Sequence, residues 1–90
     1  MVGLNLNTQK LKIMTTVENI IRTTNPTTIV KGENMVKGMY GKRQVVVNYD
    51  KSQDLFNVWA FTLKGVNLIK EYKVNGVFIE QLKETIEGMK

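Results

Sequence analysis

The chain has 90 residues with 13 basic and 8 acidic side chains, a formal net charge of +5, and no cysteine or histidine. Such a length predicts a single domain with one modest hydrophobic core. Without cysteine there can be no disulfide or thiolate metal site, and without histidine the usual general base and commonest metal ligand are missing, which excludes triad and zinc hydrolases.

The first predicted element is a short helix between Thr15 and Pro26. Thr15 and Glu18 have the spacing of a capping box, with Thr15 as the N-cap. An apolar face with helical spacing follows, formed by Val17, Ile20 and Ile21. Because the residue before a proline is driven out of the helical region, the helix is expected to end near Asn25.

Residues 1–13 leave several interpretations open. The helical spacing continues back through Leu11 and Met14 towards a cap at Thr8. An edge strand is also compatible with the alternation of Val2, Leu4 and Leu6. If Met14 is an initiator, residues 1–13 are an N-terminal extension and residues 14–90 form the domain, and this is the division we predict. The N-terminus lacks a signal-peptide pattern and no apolar run could span a membrane, so we expect a cytoplasmic protein without membrane contact.

After Pro26 the hydrophobic period changes to two, which predicts a meander of four or five antiparallel strands. The strand segments are 27–32, 35–41, 42–49, 55–63 and 68–74. Turn-forming residues separate them, and short connections make sequence neighbours pair. Segment 55–63 is apolar on both faces, which is typical of a central strand covered on both sides, or of one that pairs with a partner on one side.

The chain is predicted to close with an amphipathic helix that starts after Asn75-Gly76, with Asn75 as its N-cap. Its apolar stripe comprises Phe78 or Ile79, Leu82, Ile86 and Met89. The fold class is therefore α+β, with a short N-terminal helix, the meander and a C-terminal helix. We expect both helices to cover one face of the sheet and leave the other face for function.

Aromatic and basic residues along the predicted strands make a candidate platform for single-stranded nucleic acid, in which bases stack and cations hold phosphates. The candidate residues are Lys37, Tyr40, Lys42, Arg43, Tyr49, Lys51 and Trp59. The alternative is that Trp59 and Phe61 belong to the core and that the lysines protect strand edges. The segment around Gly38, Gly41 and Lys42 lacks the residues and the strand-to-helix context of a phosphate-binding loop.

No constellation for catalysis, a metal or a cofactor is recognisable. Asp50, Ser52 and Asp54 alternate as in a calcium loop, but Leu55 and Phe61 occupy its diagnostic glycine and glutamate positions. Asp50 and Asp54 are better suited to capping the turn. Glu80, Glu84 and Glu87 alternate with Lys83 and Lys90 and are spaced as ordinary surface charges of the last helix.

Four segments form a recognisable series: MTTVENII, KGENMV, VVVNYDKSQDLFNVWAFTL and YKVNGVFIEQLKETIEGM. Together they resemble a group of small hypothetical proteins of bacteriophages and integrated mobile elements, over about residues 14–88. The matching residues are Thr15, Glu18, Gly32, Asn34, Asp54, Phe56, Val58, Gly76, Val77, Phe78, Gln81 and Leu82. Phe56, Phe78 and Glu80 depart from the tyrosines and aspartate of that pattern. The resemblance implies an accessory protein and brings no activity with it.

These patterns lead to two hypotheses about function. The preferred one is a non-enzymatic accessory protein that binds DNA or RNA, because of the charge, the aromatic and basic strands and the resemblance. The alternative is a protein-interaction module, acting as a homodimer or as an inhibitor of a host protein, because of the two-sided strand and the open edge of such a sheet.

Overall fold

The computed structural model describes residues 6–90, which form an antiparallel sheet of five strands with helices on one face. The elements are α1 (Leu6–Arg22), β1 (Thr28–Lys31), β2 (Met35–Tyr40), β3 (Arg43–Asp50), β4 (Leu55–Lys64), β5 (Asn67–Val77), a 3-10 turn (Ile79–Gln81) and α2 (Leu82–Met89). The strand order is β1-β2-β3-β4-β5, so each strand pairs with its neighbour in sequence. The predicted α+β meander with a helix at each end is confirmed. No helix in the described part of the chain has the length and apolar character needed to cross a membrane.

Helix α1 begins at Leu6, so the start after a cap at Thr15 is wrong and the alternative in which the helix extends back through Leu11 and Met14 is confirmed. Thr16 lies within the helix and its hydroxyl donates to the Lys12 carbonyl oxygen over 3.0 Å, a bond typical of threonine inside a helix. Ile13 and Met14 pack against the core. The extent of the helix is therefore determined by its apolar spacing, and not by the capping pattern of Thr15 and Glu18. The predicted boundary between residues 13 and 14 falls inside α1, and Leu6 of the predicted edge strand is helical. Val2 and Leu4 lie outside the described residues.

The end of α1 is fixed by a left-handed residue followed by proline. Asn25 has φ 60°, a conformation that asparagine tolerates, and Pro26 follows. Thr24 just before it is fully buried, and its hydroxyl bonds the Ile21 carbonyl oxygen and the Tyr40 hydroxyl. These hydrogen bonds satisfy the buried hydroxyl of Thr24 and connect the end of α1 to β2.

The core lies between the helices and one face of the sheet. Side chains of β-strands alternate between faces, and here the even-numbered residues of β2 and β4 and the odd-numbered residues of β3 point towards the helices. The buried cluster consists of Val17, Ile21, Val36, Val45, Val47, Phe56, Val58, Ala60, Val77, Leu82, Ile86 and Met89. The prediction that both helices cover the same face is confirmed.

The transition from β5 to α2 differs from the prediction that Asn75 caps the last helix. Asn75 remains in β5, which bulges at Gly76 with φ 71° and pairs Val77 with Phe56 before it ends. The helix begins later because this last pair keeps the backbone extended as far as Val77. Of the two alternatives for the stripe, Ile79 packs against the core, whereas Phe78 is 54% exposed.

Glu18 links α1 to the edge strand and makes stability depend on pH. Arg22 donates to Glu18 and Lys31 Nζ lies 3.3 Å from its Oε1, and these two bonds lower the pKa of Glu18 below its ordinary value. A lowered pKa stabilises the fold above the unfolded-state value, about 4.3 for glutamate, and this contribution is lost as the pH falls through the folded-state pKa. We expect thermal melts from pH 7 to pH 3 to fall more steeply for the wild type than for Glu18→Gln. Parallel curves would contradict this assignment.

Candidate functional site

The sheet face opposite the helices is the candidate surface, and we call it the outer face. It is formed by the odd-numbered residues of β2 and β4 and the even-numbered residues of β3. In the described part of the chain, the helix residues of the buried cluster all lie on the other side of the sheet. Among residues 6–90, the helices therefore leave the outer face uncovered.

A single row of residues crosses the outer face from one edge of the sheet to the other. Val30 pairs with Lys37, Lys37 with Val46, Val46 with Trp59, and Trp59 with Lys73. Adjacent strands are about 4.8 Å apart, so the two lysine Cα atoms are separated by about 14 Å. Trp59 is half-buried, and it lies in this row between the two cations. We call these five residues the central row.

Trp59 is held in place by three neighbours. Its Nε1 donates to Glu71 Oε1 over 3.1 Å, and Lys73 Nζ lies 5.4 Å from the ring centroid. The ring of Phe61 is 4.5 Å away, centroid to centroid, and tilted by 44°. Glu71 Oε1 is also 3.7 Å from Lys73 Nζ, so the acid compensates part of the positive charge beside the indole. The indole is therefore oriented before any ligand arrives.

Carboxamides border the central row and can donate and accept hydrogen bonds. Gln44 is buried on one side of the row, whereas Asn48, Asn57 and Asn75 lie on the other. A shallow pocket of about 200 Å³ is lined by Asn48, Asn57, Val58, Trp59, Lys73 and Asn75. The Asn57 Oδ1 accepts the Gly76 N–H over 3.1 Å, which fixes this amide. In this pocket the oriented indole can stack on a planar ring, and the lysine and the amides can form hydrogen bonds with the polar edge of that ring.

Further apolar side chains lie on the outer face. They include Met35, Met39, Leu55, Phe61, Leu63 and Leu68. Phe61 is buried against its neighbours, whereas Leu68 is 44% exposed. A mixture of methionine, aromatic and leucine side chains is also typical of surfaces that bind proteins.

The structure brings only two of the seven predicted site residues together on the outer face, Lys37 and Trp59. Tyr40, Arg43 and Tyr49 lie on the helix side of the sheet, because they alternate with outer-face residues along their strands. Lys42 and Lys51 are exposed in the turns at opposite ends of the sheet. The three aromatics of the predicted platform are thus on adjacent strands, but they do not share one face.

The predicted residues on the helix side already have internal partners. The Tyr40 hydroxyl bonds Thr24, and burial is the main reason that the pKa of Tyr40 is raised. The Tyr49 hydroxyl donates to Asp54 Oδ1 over 2.6 Å, and this bond raises the pKa of Tyr49. These tyrosines are held in the fold by their hydroxyls.

Arg43 fastens three elements together. Its Nε donates to the Met89 carbonyl oxygen at the end of α2, and its Nη1 donates to Thr62 Oγ1 over 3.1 Å and to the Lys70 carbonyl oxygen over 2.8 Å. A guanidinium with these partners caps the helix and joins it to β4 and β5. Its contacts are those of a stabilising residue.

Asp50 and Asp54 form hydrogen bonds within the turn between β3 and β4, as expected. Asp50 Oδ1 accepts the Ser52 N–H over 3.0 Å and the Ser52 hydroxyl over 2.6 Å. Asp54 has φ 54° and accepts from Tyr49. Within residues 6–90, no group of three acidic side chains is arranged to hold a metal ion.

Sequence reasoning missed Lys73 and the three asparagines of the pocket. Their position depends on the register of β5 against β4, and this register shifts between Ala60 and Thr62 and again between Phe56 and Val58. Such bulges break the period of two that assigns a residue to a face. Repeated asparagines in neighbouring strands are a signal that could have drawn attention to them, because asparagine is depleted in strands.

Comparison of the chain with protein-family models, with curated proteins and with solved structures finds no match.

Proposed function

We propose that this protein acts by binding and not by catalysis, and that its ligand is single-stranded nucleic acid held on the outer face. The observation that carries the proposal is the central row, where the only tryptophan of the chain lies between Lys37 and Lys73. Single-stranded nucleic acids are bound in this way, with bases stacked on aromatic rings and phosphates held by flanking cations. The resemblance to small phage proteins is the ground for proposing an accessory role in a phage or mobile element.

Further lysines at one end of the sheet support the same ligand. The Leu63 N–H donates to the Lys42 carbonyl oxygen over 3.0 Å, and Arg43 bonds the Lys70 carbonyl oxygen, so the β2–β3 turn and the start of β5 are adjacent. The side chains of Lys42, Lys64 and Lys70 are exposed at this end. A nucleic-acid strand that leaves the central row in this direction would meet more positive charge.

A second candidate function is binding of another protein on the same face. The apolar residues beside the central row favour it, above all Met39, Leu63 and the exposed Leu68. It predicts no affinity for oligonucleotides and a weak dependence on salt.

Binding of an unlabelled oligo-dT or oligo-U of about 15 nucleotides is expected to quench the fluorescence of Trp59, because stacking places a base against the indole. If about three lysines contact phosphates, the slope of log K against log salt is expected to be about −2, from roughly −0.7 per phosphate on single strands. Unchanged fluorescence and no binding at low salt would overturn the nucleic-acid proposal and leave the protein partner.

Fluorescence anisotropy of a labelled oligonucleotide tests how much individual residues contribute to the binding affinity. Lys37→Ala should weaken binding and make the salt slope shallower by about 0.7, whereas Trp59→Ala should weaken it by about 1–3 kcal/mol. The matched control is Lys83→Ala on α2, which removes the same charge from an exposed position on the helix side. Equal losses from Lys37→Ala and the control would mean that net charge and not the outer face determines affinity.

A further inference from the structure

We propose that the free edge of β5 pairs with the same edge of a second copy, antiparallel and about a two-fold axis at Tyr72. The two sheets would join into a continuous sheet of ten strands, five from each copy. Antiparallel pairing of identical edges is self-complementary, as a two-fold interface requires. The inference goes beyond the proposed function and does not rest on it.

The backbone of β5 has groups available for this pairing. The Leu63 N–H bonds Lys42, so the odd-numbered residues of β4 face β3 and its even-numbered residues face β5. Ala60 and Tyr72 are paired, and Tyr72 therefore directs its N–H and C=O towards β4. The N–H and C=O groups of Glu71 and Lys73 consequently point outwards, and in the described chain no further strand lies beyond β5.

Two bulges limit where a second strand can pair. Lys70 has φ 53° and Gly76 has φ 71°, and the register against β4 shifts near each of them. Bulges twist a strand and interrupt its ladder, and proteins use them to protect edges. Between these shifts only residues 72–74 pair regularly with β4, so only a few registers are available to a second strand.

Charge selects one register from these few. When Glu71 lies opposite Lys73 of the second copy, the symmetry also places Lys73 opposite Glu71, giving two cross-strand pairs of opposite charge. If the register is shifted in one direction, the two Lys73 residues lie opposite each other. If it is shifted in the other direction, the two Glu71 residues lie opposite each other. Opposite charges directly across a pair of strands stabilise it and like charges destabilise it. The sequence Glu71-Tyr72-Lys73 is therefore self-complementary in antiparallel pairing.

The exposure of Tyr72 is consistent with a two-fold axis at this residue. Its side chain is 59% exposed on the helix side of the sheet, beyond the area that α2 covers. In the proposed dimer the two Tyr72 residues form the pair that is not hydrogen-bonded, in which side chains approach most closely. Each ring would cover the other, and aromatic cross-strand pairs are among the favourable ones.

The interface is small, and it should therefore be weak. A ladder over residues 71–73 has about four backbone hydrogen bonds and buries less than the roughly 1,200 Å² of a standard interface. Dimerisation is thus expected at micromolar or higher concentration. In the dimer both outer faces lie on the same side of the joined sheet, because the axis is perpendicular to it.

Sedimentation equilibrium over a range of concentrations tests the proposal, without any nucleic acid present. The wild type should associate reversibly to a dimer, whereas Glu71→Lys and Lys73→Glu should each weaken association at least tenfold, because each places like charges in both pairs. The double variant Glu71→Lys, Lys73→Glu should recover most of the affinity, because the opposite charges are restored with their positions exchanged.

Control variants separate the effect of the cross-strand register on association from the effects of net charge and of misfolding. Glu84→Lys and Lys83→Glu make the same changes in charge on exposed positions of α2 and should leave the dimer intact. Far-ultraviolet circular dichroism and melting temperature establish that each variant folds. A wild type that stays monomeric at the highest concentration overturns the proposal, as does a double variant that is as monomeric as the single ones. Neither result bears on oligonucleotide binding through Lys37.

Discussion

Leu82→Ala is expected to lower the free energy of unfolding by about 2–5 kcal/mol, the usual cost of deleting a buried leucine side chain. Leu82 is the first residue of α2, its side chain is 0% exposed, and it packs in the cluster between the helices and the sheet. A helix of eight residues is too short to be stable alone, so this contact decides whether α2 stays on the sheet. Urea denaturation followed by circular dichroism measures the loss.

The neighbouring residue provides the control for Leu82. Lys83 is exposed on the same helix, and Lys83→Ala should change the stability by no more than about 0.5 kcal/mol. A loss below about 1 kcal/mol for Leu82→Ala would mean that the site collapses around the smaller side chain or that α2 contributes little, because a buried leucine normally costs at least twice as much. A lower slope of free energy against urea would indicate that α2 has detached already in the native state.

Gly38→Val is expected to destabilise the protein by about 1–3 kcal/mol, as overpacking usually does. A Cβ at this position would lie 2.9 Å from the Tyr40 hydroxyl oxygen and 3.0 Å from Ile21 Cγ2. Tyr40 has little freedom to move, because its hydroxyl bonds the buried Thr24. The expected sign is informative, since valine is a better strand former than glycine and would otherwise stabilise β2.

A second glycine gives the opposite expectation. Gly88 is helical, and apart from its two chain neighbours and the backbone of α2, no atom of the described residues lies within 4 Å of the position that a Cβ would occupy. Gly88→Ala should therefore stabilise the protein by up to about 1 kcal/mol through helix propensity. If Gly38→Val stabilises the protein as Gly88→Ala is expected to, the close approach of α1 to β2 at Gly38 carries no cost.

The order of elements could be predicted from the sequence, because the change of period at Pro26 and the turn residues between strands are strong local signals. The limits of α1 could not, since Thr15 and Glu18 have capping spacing yet lie within a helix that continues to Leu6. Ile13 and Met14 pack against the core, and this tertiary contact outweighs a local pattern. The same holds for Asn75, where pairing with β4 prolongs the strand.

The candidate site was harder to predict, because the assignment of faces depends on alternation that these strands hide. Val45, Val46 and Val47 are all buried in β3, so the run does not reveal which of them points to the helices. Trp59 was expected to share a face with Tyr49, yet the pairing of Tyr49 with Phe56 places them on opposite sides. Once the register is known, Lys37 and Lys73 follow from Trp59 directly, but the register itself comes from three-dimensional pairing.

The hydrogen bond from Lys90 Nζ to the Thr24 carbonyl oxygen, 2.8 Å long, joins residues 66 positions apart, whereas all five strands pair only with sequence neighbours. Hairpins between neighbours close short loops and lose little chain entropy, so the sheet can assemble stepwise from either end. Docking of α2 beside the end of α1 closes a much longer loop and needs the sheet as its support. We therefore expect the meander to form first and the meeting of the two helices to complete the native state.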